Sequence, residues 1–95
     1  MLISVIIPCF NSGKTLLKAV LSVKNQVYQP IEIIVVNDGS NEKYTLDVLN
    51  SLENITLHNQ GNRGLPSARN AGINISNGEL LFFLDADDYL DPNAL

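Results

Sequence analysis

The stretch Ile31-Glu32-Ile33-Ile34-Val35-Val36-Asn37-Asp38-Gly39-Ser40 is a near-continuous aliphatic run that stops abruptly in a polar turn. Its β-branched residues favour a strand, and the lack of polar alternation favours one covered on both faces, as in a parallel sheet. Working outward, the run is one of four. Upstream, Leu2 to Ile7 is a second, ended by Pro8; downstream, Ile55 to His58 is a weaker third and Glu79 to Leu84 a strong fourth.

Helical patterns separate these runs. Leu16, Val20, Val23 and Val27 recur at helical spacing, with Leu17 and Leu21 widening the stripe, and Gln29-Pro30 ends the connection to the next strand. A second helix is predicted from about Glu42 to Leu52, with Ser40 or Asn41 as its N-cap. A third starts near Pro66, buries Leu65, Ala68, Gly72 and Ile75, and stops at Gly78. This alternation predicts an α/β domain with right-handed crossovers and strand order 3-2-1-4.

In such a sheet, ligands bind at the carboxyl ends of the strands beside the switch point, here between the first and fourth. The polar residues gather there. Phe10 and Asn11 follow strand one, Asn37 and Asp38 follow strand two, and Asp85, Asp87 and Asp88 follow strand four.

Composition bounds the partners. The chain has 95 residues, room for one small domain, and 45% hydrophobic with 17% charged residues argues against disorder. Net charge is -4 and the six Lys and Arg residues are scattered, which excludes a phosphate-backbone partner such as nucleic acid. A negative protein that binds a negative nucleotide needs a cation. Cys9 is the sole cysteine, so no intrachain disulfide forms and a reducing compartment is expected. The apolar start, Met1 to Pro8, is too short to span a bilayer and lacks the basic region of a signal peptide; a cytoplasmic location is the expectation.

Leu80-Leu81-Phe82-Phe83-Leu84 runs directly into Asp85-Ala86-Asp87-Asp88. Carboxylates so close repel one another and call for solvent, a cation or an arginine. Hard oxygen ligands at a strand end suit Mg²⁺ or Mn²⁺, with Asp87 the favoured ligand and Asp85 turned toward a nucleoside. Asp88 could equally orient the loop. The alternative is a solvated acidic turn that also caps a helix starting near Pro92.

Four segments, taken together, resemble the family 2 glycosyltransferases: Ser4 to Asn11, Glu32 to Ser40, Gly64 to Gly72, and Gly78 to Asp88. The resemblance covers essentially the whole chain, in order and without insertions. It implies a Rossmann-like fold of the GT-A type, a mainly parallel sheet of four strands with helices on both faces. It also implies a nucleoside-diphosphate sugar donor, a Mn²⁺ or Mg²⁺ ion bridging the diphosphate to a DxD motif, and inverting transfer to an acceptor.

By the same resemblance, Pro8, Phe10 and Asn11 line the base and ribose pocket. Phe10 either stacks on the base or anchors its loop. Asp38 accepts the uracil ring N–H, which makes UDP the expected nucleotide, or else is an Asx-turn residue before Gly39. Asn37 departs from the commoner double-Asp version of this motif. Arg69 contacts the nucleotide or steadies Asp85 and Asp87. Arg63 is read as surface and His58 as structural. In the family, the catalytic base and most contacts to the glycan or lipid-linked acceptor come from sequence beyond Leu95. Residues 1–95 are thus expected to be the nucleotide-sugar-binding part, inactive in transfer by themselves.

Three rival readings exist. Gly13-Lys14-Thr15 suggests a P-loop, but that motif needs glycine where Pro8 stands, and proline has no N–H to give a phosphate. A nicotinamide site lacks its G-x-G-x-x-G after strand one. A non-enzymatic fragment that binds nucleotide, or associates through an open sheet edge, is the third.

Overall fold

The computed structural model describes residues 1–95. Strands β1 (Ile3–Cys9), β2 (Ile31–Asp38), β3 (Thr56–Gln60) and β4 (Leu80–Phe83) alternate with helices α1 (Gly13–Lys24), α2 (Lys43–Ser51) and α3 (Leu65–Ile75). All pairings are parallel, and the order β3-β2-β1-β4 is the predicted one.

The unbroken aliphatic runs now have a physical reason. Along β1, Ile3, Val5, Ile7 and Cys9 point to one face, where Leu16, Ala19, Val20 and Val23 of α1 and Leu49 of α2 cover them. Ile6 points the other way, with Ile34 and Val36, against Ala68 of α3. Every position of β1 is therefore buried, and no polar alternation is tolerated. The α3 side is a close approach: a Cβ on Gly72 would collide with Ile6 Cγ2. Only glycine lets this helix lie so near the sheet.

Pro8 does not end β1; it lies within the strand, in register with Val36. The Ile6 carbonyl accepts from Leu84 N–H at 3.0 Å, so Ile6, and Pro8 two residues on, present their backbone toward β4. Pairing with β4 stops at Ile6 and Phe83. The missing proline N–H therefore costs the ladder nothing.

Several other boundaries differ from the sequence expectation. Helix α1 ends at Lys24, and Val27 is 73% exposed rather than part of the stripe. The cause is Gln26, whose side chain donates to the carbonyls of Ser22 and Asp91 and accepts from Leu95 N–H. The Val27 N–H goes to the Pro92 carbonyl at 2.9 Å. No helix starts near Pro92; Leu90, Asp91, Pro92 and Leu95 instead bond to Ser22, Gln26 and Val27 around the C-terminal end of α1. Leu17, Leu21 and Leu65 are also exposed by about half.

Strand β3 continues two residues past His58 to Gln60. Helix α3 ends at Ile75 with Ser76 as its C-cap, so Gly78 is not its cap. That glycine is required by contact with β1, because a Cβ there would collide with Ser4 Oγ, which accepts from Gly78 N–H at 2.8 Å. Neither Ser40 nor Asn41 caps α2. Glu42 is its N-cap and makes no capping bond to the helix backbone.

Candidate functional site

The carboxyl ends of β1 and β2 and the first turn of α3 enclose a cavity of about 90 Å³ lined by Pro8, Cys9, Phe10, Asp38, Leu65 and Ala68. Its polar group is Asp38, only 4% exposed. Its Oδ1 accepts from Gln60 Nε2 and from Arg63 N–H, each at 2.9 Å, and Oδ2 accepts from Gly64 N–H at 3.0 Å. Burial alone would favour the neutral acid. The three N–H donors outweigh it and hold the carboxyl below the ordinary carboxylate range, with a smaller contribution from the Arg63 charge.

The Asx role belongs to Asn37 instead of Asp38. Asn37 Oδ1 accepts from Ser40 N–H at 3.0 Å, and Nδ2 donates to Asn59 Oδ1 at 3.0 Å. This explains an amide at a position where the resembled motif often has a second acid. A buried carboxylate there has no proton to give Asn59 and would repel Asp38. Gly39 follows with φ 74°, in the left-handed region, and its backbone packs against Asn62.

Gln60 and Gly64 were not singled out in the sequence. Gln60 lay outside the strand as first drawn, and a glycine before Pro66 reads as a loop element rather than as a carboxylate ligand. Arg63, read as surface, serves through its backbone N–H. Phe10 is 45% exposed at the rim of the cavity. His58 lies in edge strand β3, opposite Val36 and on the far side of the sheet from β4.

From Ala68 the site continues to its neighbour Arg69, whose Nη2 lies 3.5 Å from Asp85 Oδ1. The Arg69 guanidinium also sits over the Phe83 ring, 5.8 Å from its centre. Its Nε is buried without a hydrogen-bond partner. Asp85, Asp87 and Asp88 are exposed, and each offers a carboxylate oxygen within 4.8 Å of the others. A turn closed by Asp88 N–H on the Asp85 carbonyl at 3.0 Å holds them together. Hard oxygen donors at that spacing fit Mg²⁺ or Mn²⁺.

The geometry disposes of a P-loop. Gly13 N–H donates to Thr45 Oγ1 at 3.0 Å, and a Cβ on Gly13 would lie 2.6 Å from Thr45 Cα. The first amide of α1 is thus already taken by α2 and is not free to cradle a phosphate. A larger groove of about 500 Å³ lies on the outer face of α1, lined in part by Leu17, Leu21, Tyr44 and Tyr89. It contains none of the predicted site residues.

A parallel sheet of this order, with a polar-floored cavity at one end and carboxylates after β4, matches the GT-A type of glycosyltransferase fold that the resemblance implies. The model of the family "Glycosyl transferase family 2" matches residues 4–95, and the chain belongs to that family. The glycosyltransferase GlyG of Streptococcus pneumoniae is 38% identical over 99% of this chain and 33% of its own length. The poly(ribitol-phosphate) beta-N-acetylglucosaminyltransferase TarP of Staphylococcus aureus is 38% identical over 98% of this chain and 30% of its own. The crystal structure of S. aureus TarS in complex with UDP superposes with a TM-score of 0.87 at 30% identity, covering 98% of this chain and 29% of that one. The chain thus spans about a third of the length of these relatives.

Proposed function

We propose that residues 1–95 form the donor-binding part of an inverting glycosyltransferase that takes a UDP-sugar. The observation that carries this reading is the continuous path from the Asp38 cavity, through Arg69, to the carboxylates after β4. One end suits a nucleoside and the other a diphosphate with its cation. The solved relative with UDP in place supports the same choice of nucleotide.

In this reading Pro8, within β1, and Phe10, in the loop that also holds Asn11, line the base and ribose. Oδ2 of Asp38 accepts one protein N–H and so keeps a lone pair for the imide N–H of uracil. Asp38 is already ionised, so it accepts without rearrangement. Arg69 and Asp85 sit between base and diphosphate, and Arg69 offsets phosphate charge. Asp87, with Asp85 and Asp88 beside it, would hold Mg²⁺ or Mn²⁺, which offsets charge on the departing diphosphate. The base that deprotonates the acceptor hydroxyl, and the site for a glycan or lipid-linked acceptor, lie beyond Leu95. A cytoplasmic setting goes with this reading, and Cys9 is unpaired and buried; no helix is long and apolar enough to cross a membrane.

Calorimetric titration with UDP, with and without Mn²⁺, tests this. Metal-dependent binding that disappears in Asp87→Ala is expected. Binding of ATP in preference to UDP, or metal-independent UDP binding unaffected by Asp87→Ala, would overturn it.

A further inference from the structure

Asn11 has φ 50°, in the left-handed region, in the loop between β1 and α1. Its polar groups turn across the molecule to the loop between β2 and α2. Its backbone N–H donates to Ser40 Oγ at 3.0 Å, and its Oδ1 accepts from the N–H groups of both Asn41 and Glu42 at 3.0 Å. Its Nδ2 donates to Asn41 Oδ1 at 3.0 Å. The partners are 29 to 31 residues away in sequence.

These bonds meet a specific need. Helix α2 makes no capping bond from Glu42 to its own backbone. Glu42 Oε1 is occupied with Thr45 Oγ1 at 2.6 Å, and Thr45 Oγ1 in turn accepts from Gly13 N–H. The amides just ahead of the helix are therefore met from β1's loop. That loop carries Phe10, and the partner loop follows Asp38, so the same bonds join two walls of the cavity.

We propose that Asn11 is a positioning residue, a clamp between the β1–α1 and β2–α2 loops that sets the width of the nucleoside cavity without touching the nucleotide. The ligand arm of its test rests on the UDP reading above; the exchange arm does not. Asn11's acceptor oxygen is already shared by two N–H groups, and one of its two amide N–H donors goes to Asn41. Little is left to offer a ligand.

The test compares Asn11→Ala, Asn11→Asp and Asn11→Gly by NMR amide exchange without ligand and by UDP titration with Mn²⁺. Aspartate tolerates the left-handed conformation and can accept both N–H groups, while the Asn41 amide can turn to present its own donor. The expected result is that Asp keeps the Asn41 and Glu42 amides protected and keeps UDP affinity within about threefold. Ala loses that protection and binds UDP about tenfold more weakly, a loss matching one to two hydrogen bonds. Gly, which relieves the backbone but has no acceptor, follows Ala; should Ala not fold, the contrast of Asp with Gly decides.

Two results would overturn the proposal. One is unchanged protection in Asn11→Gly, which would mean that no clamp exists. The other is a larger loss of UDP affinity in Asp than in Gly, which would mean that the side chain faces the anionic ligand. Protection is read without nucleotide, so failure of the UDP assignment leaves the clamp decidable.

Discussion

Oδ2 of Asp38 and the backbone N–H of Gly64 meet at 3.0 Å, joining the end of β2 to the residue that opens α3. Gly64 itself has φ 96°, a conformation that a side chain strongly disfavours. The carboxylate thus fixes the entry to the helix that carries Ala68 and Arg69. One group organises both the cavity floor and its link to the acidic turn.

Replacing Asp38 by Asn should therefore destabilise the chain by about 1–3 kcal/mol, since an amide has one oxygen to accept with and its NH2 sets an N–H against an N–H. Urea unfolding measures this, and UDP titration should show binding lost in the same variant. An unchanged urea midpoint would contradict the assignment of these bonds.

The pH dependence has a definite sign. Asp38 has a carboxyl depressed in the folded chain, despite burial, by the donors of Gln60, Arg63 and Gly64. Its contribution is complete above the unfolded carboxylate range, about 3.9, and is lost as pH falls through the lower folded value. Stability should decline on acidification below about pH 4, and Asp38→Asn should show a shallower acid limb. Parallel acid limbs in the two proteins would count against it.

Gly72 faces Ile6 with no space for a methyl group. Alanine favours a helix interior by about 1 kcal/mol, yet here overpacking should dominate and Gly72→Ala should lose about 1–3 kcal/mol. A thermal melt decides the sign, and a raised midpoint would mean that α3 sits farther from the sheet.

Cys9 is 1% exposed, and burial pushes its thiol pKa up, against smaller lowering from Ser12 and Ser40. Alkylation by iodoacetamide at neutral pH should be slow in the folded chain and fast in urea, because the thiolate is both scarce and shielded. Fast labelling of the folded chain would refute this.

The sheet was legible because both faces of β1 and β2 are covered, leaving an unmistakable aliphatic run. The rim was legible because polar turns must follow strands whose ends face solvent. What could not be read depends on groups brought together from far apart in sequence. Gln26 ends α1 by binding residues 65 to 69 positions away, so from sequence alone Val27 reads as a fourth member of the stripe. The partners of α2's first amides lie in another loop, and local capping rules therefore chose Ser40 or Asn41. Gly78 resembled a helix stop but answers to Ser4, on the strand beside it. Within the candidate site, Asp38 is legible from its place at the end of the β2 run, whereas Gln60 and the Arg63 and Gly64 amides are visible only once β3 lies next to β2.

Pro8 carries a consequence for the open end of the sheet. β1 outruns β4, and its edge beyond Ile6 would otherwise offer an amide hydrogen to a further strand residue. Proline offers none, and its ring stands where such a residue would have to settle. Extension of the ladder past Ile6 is thus refused on that side, whether the strand would come from this molecule or another.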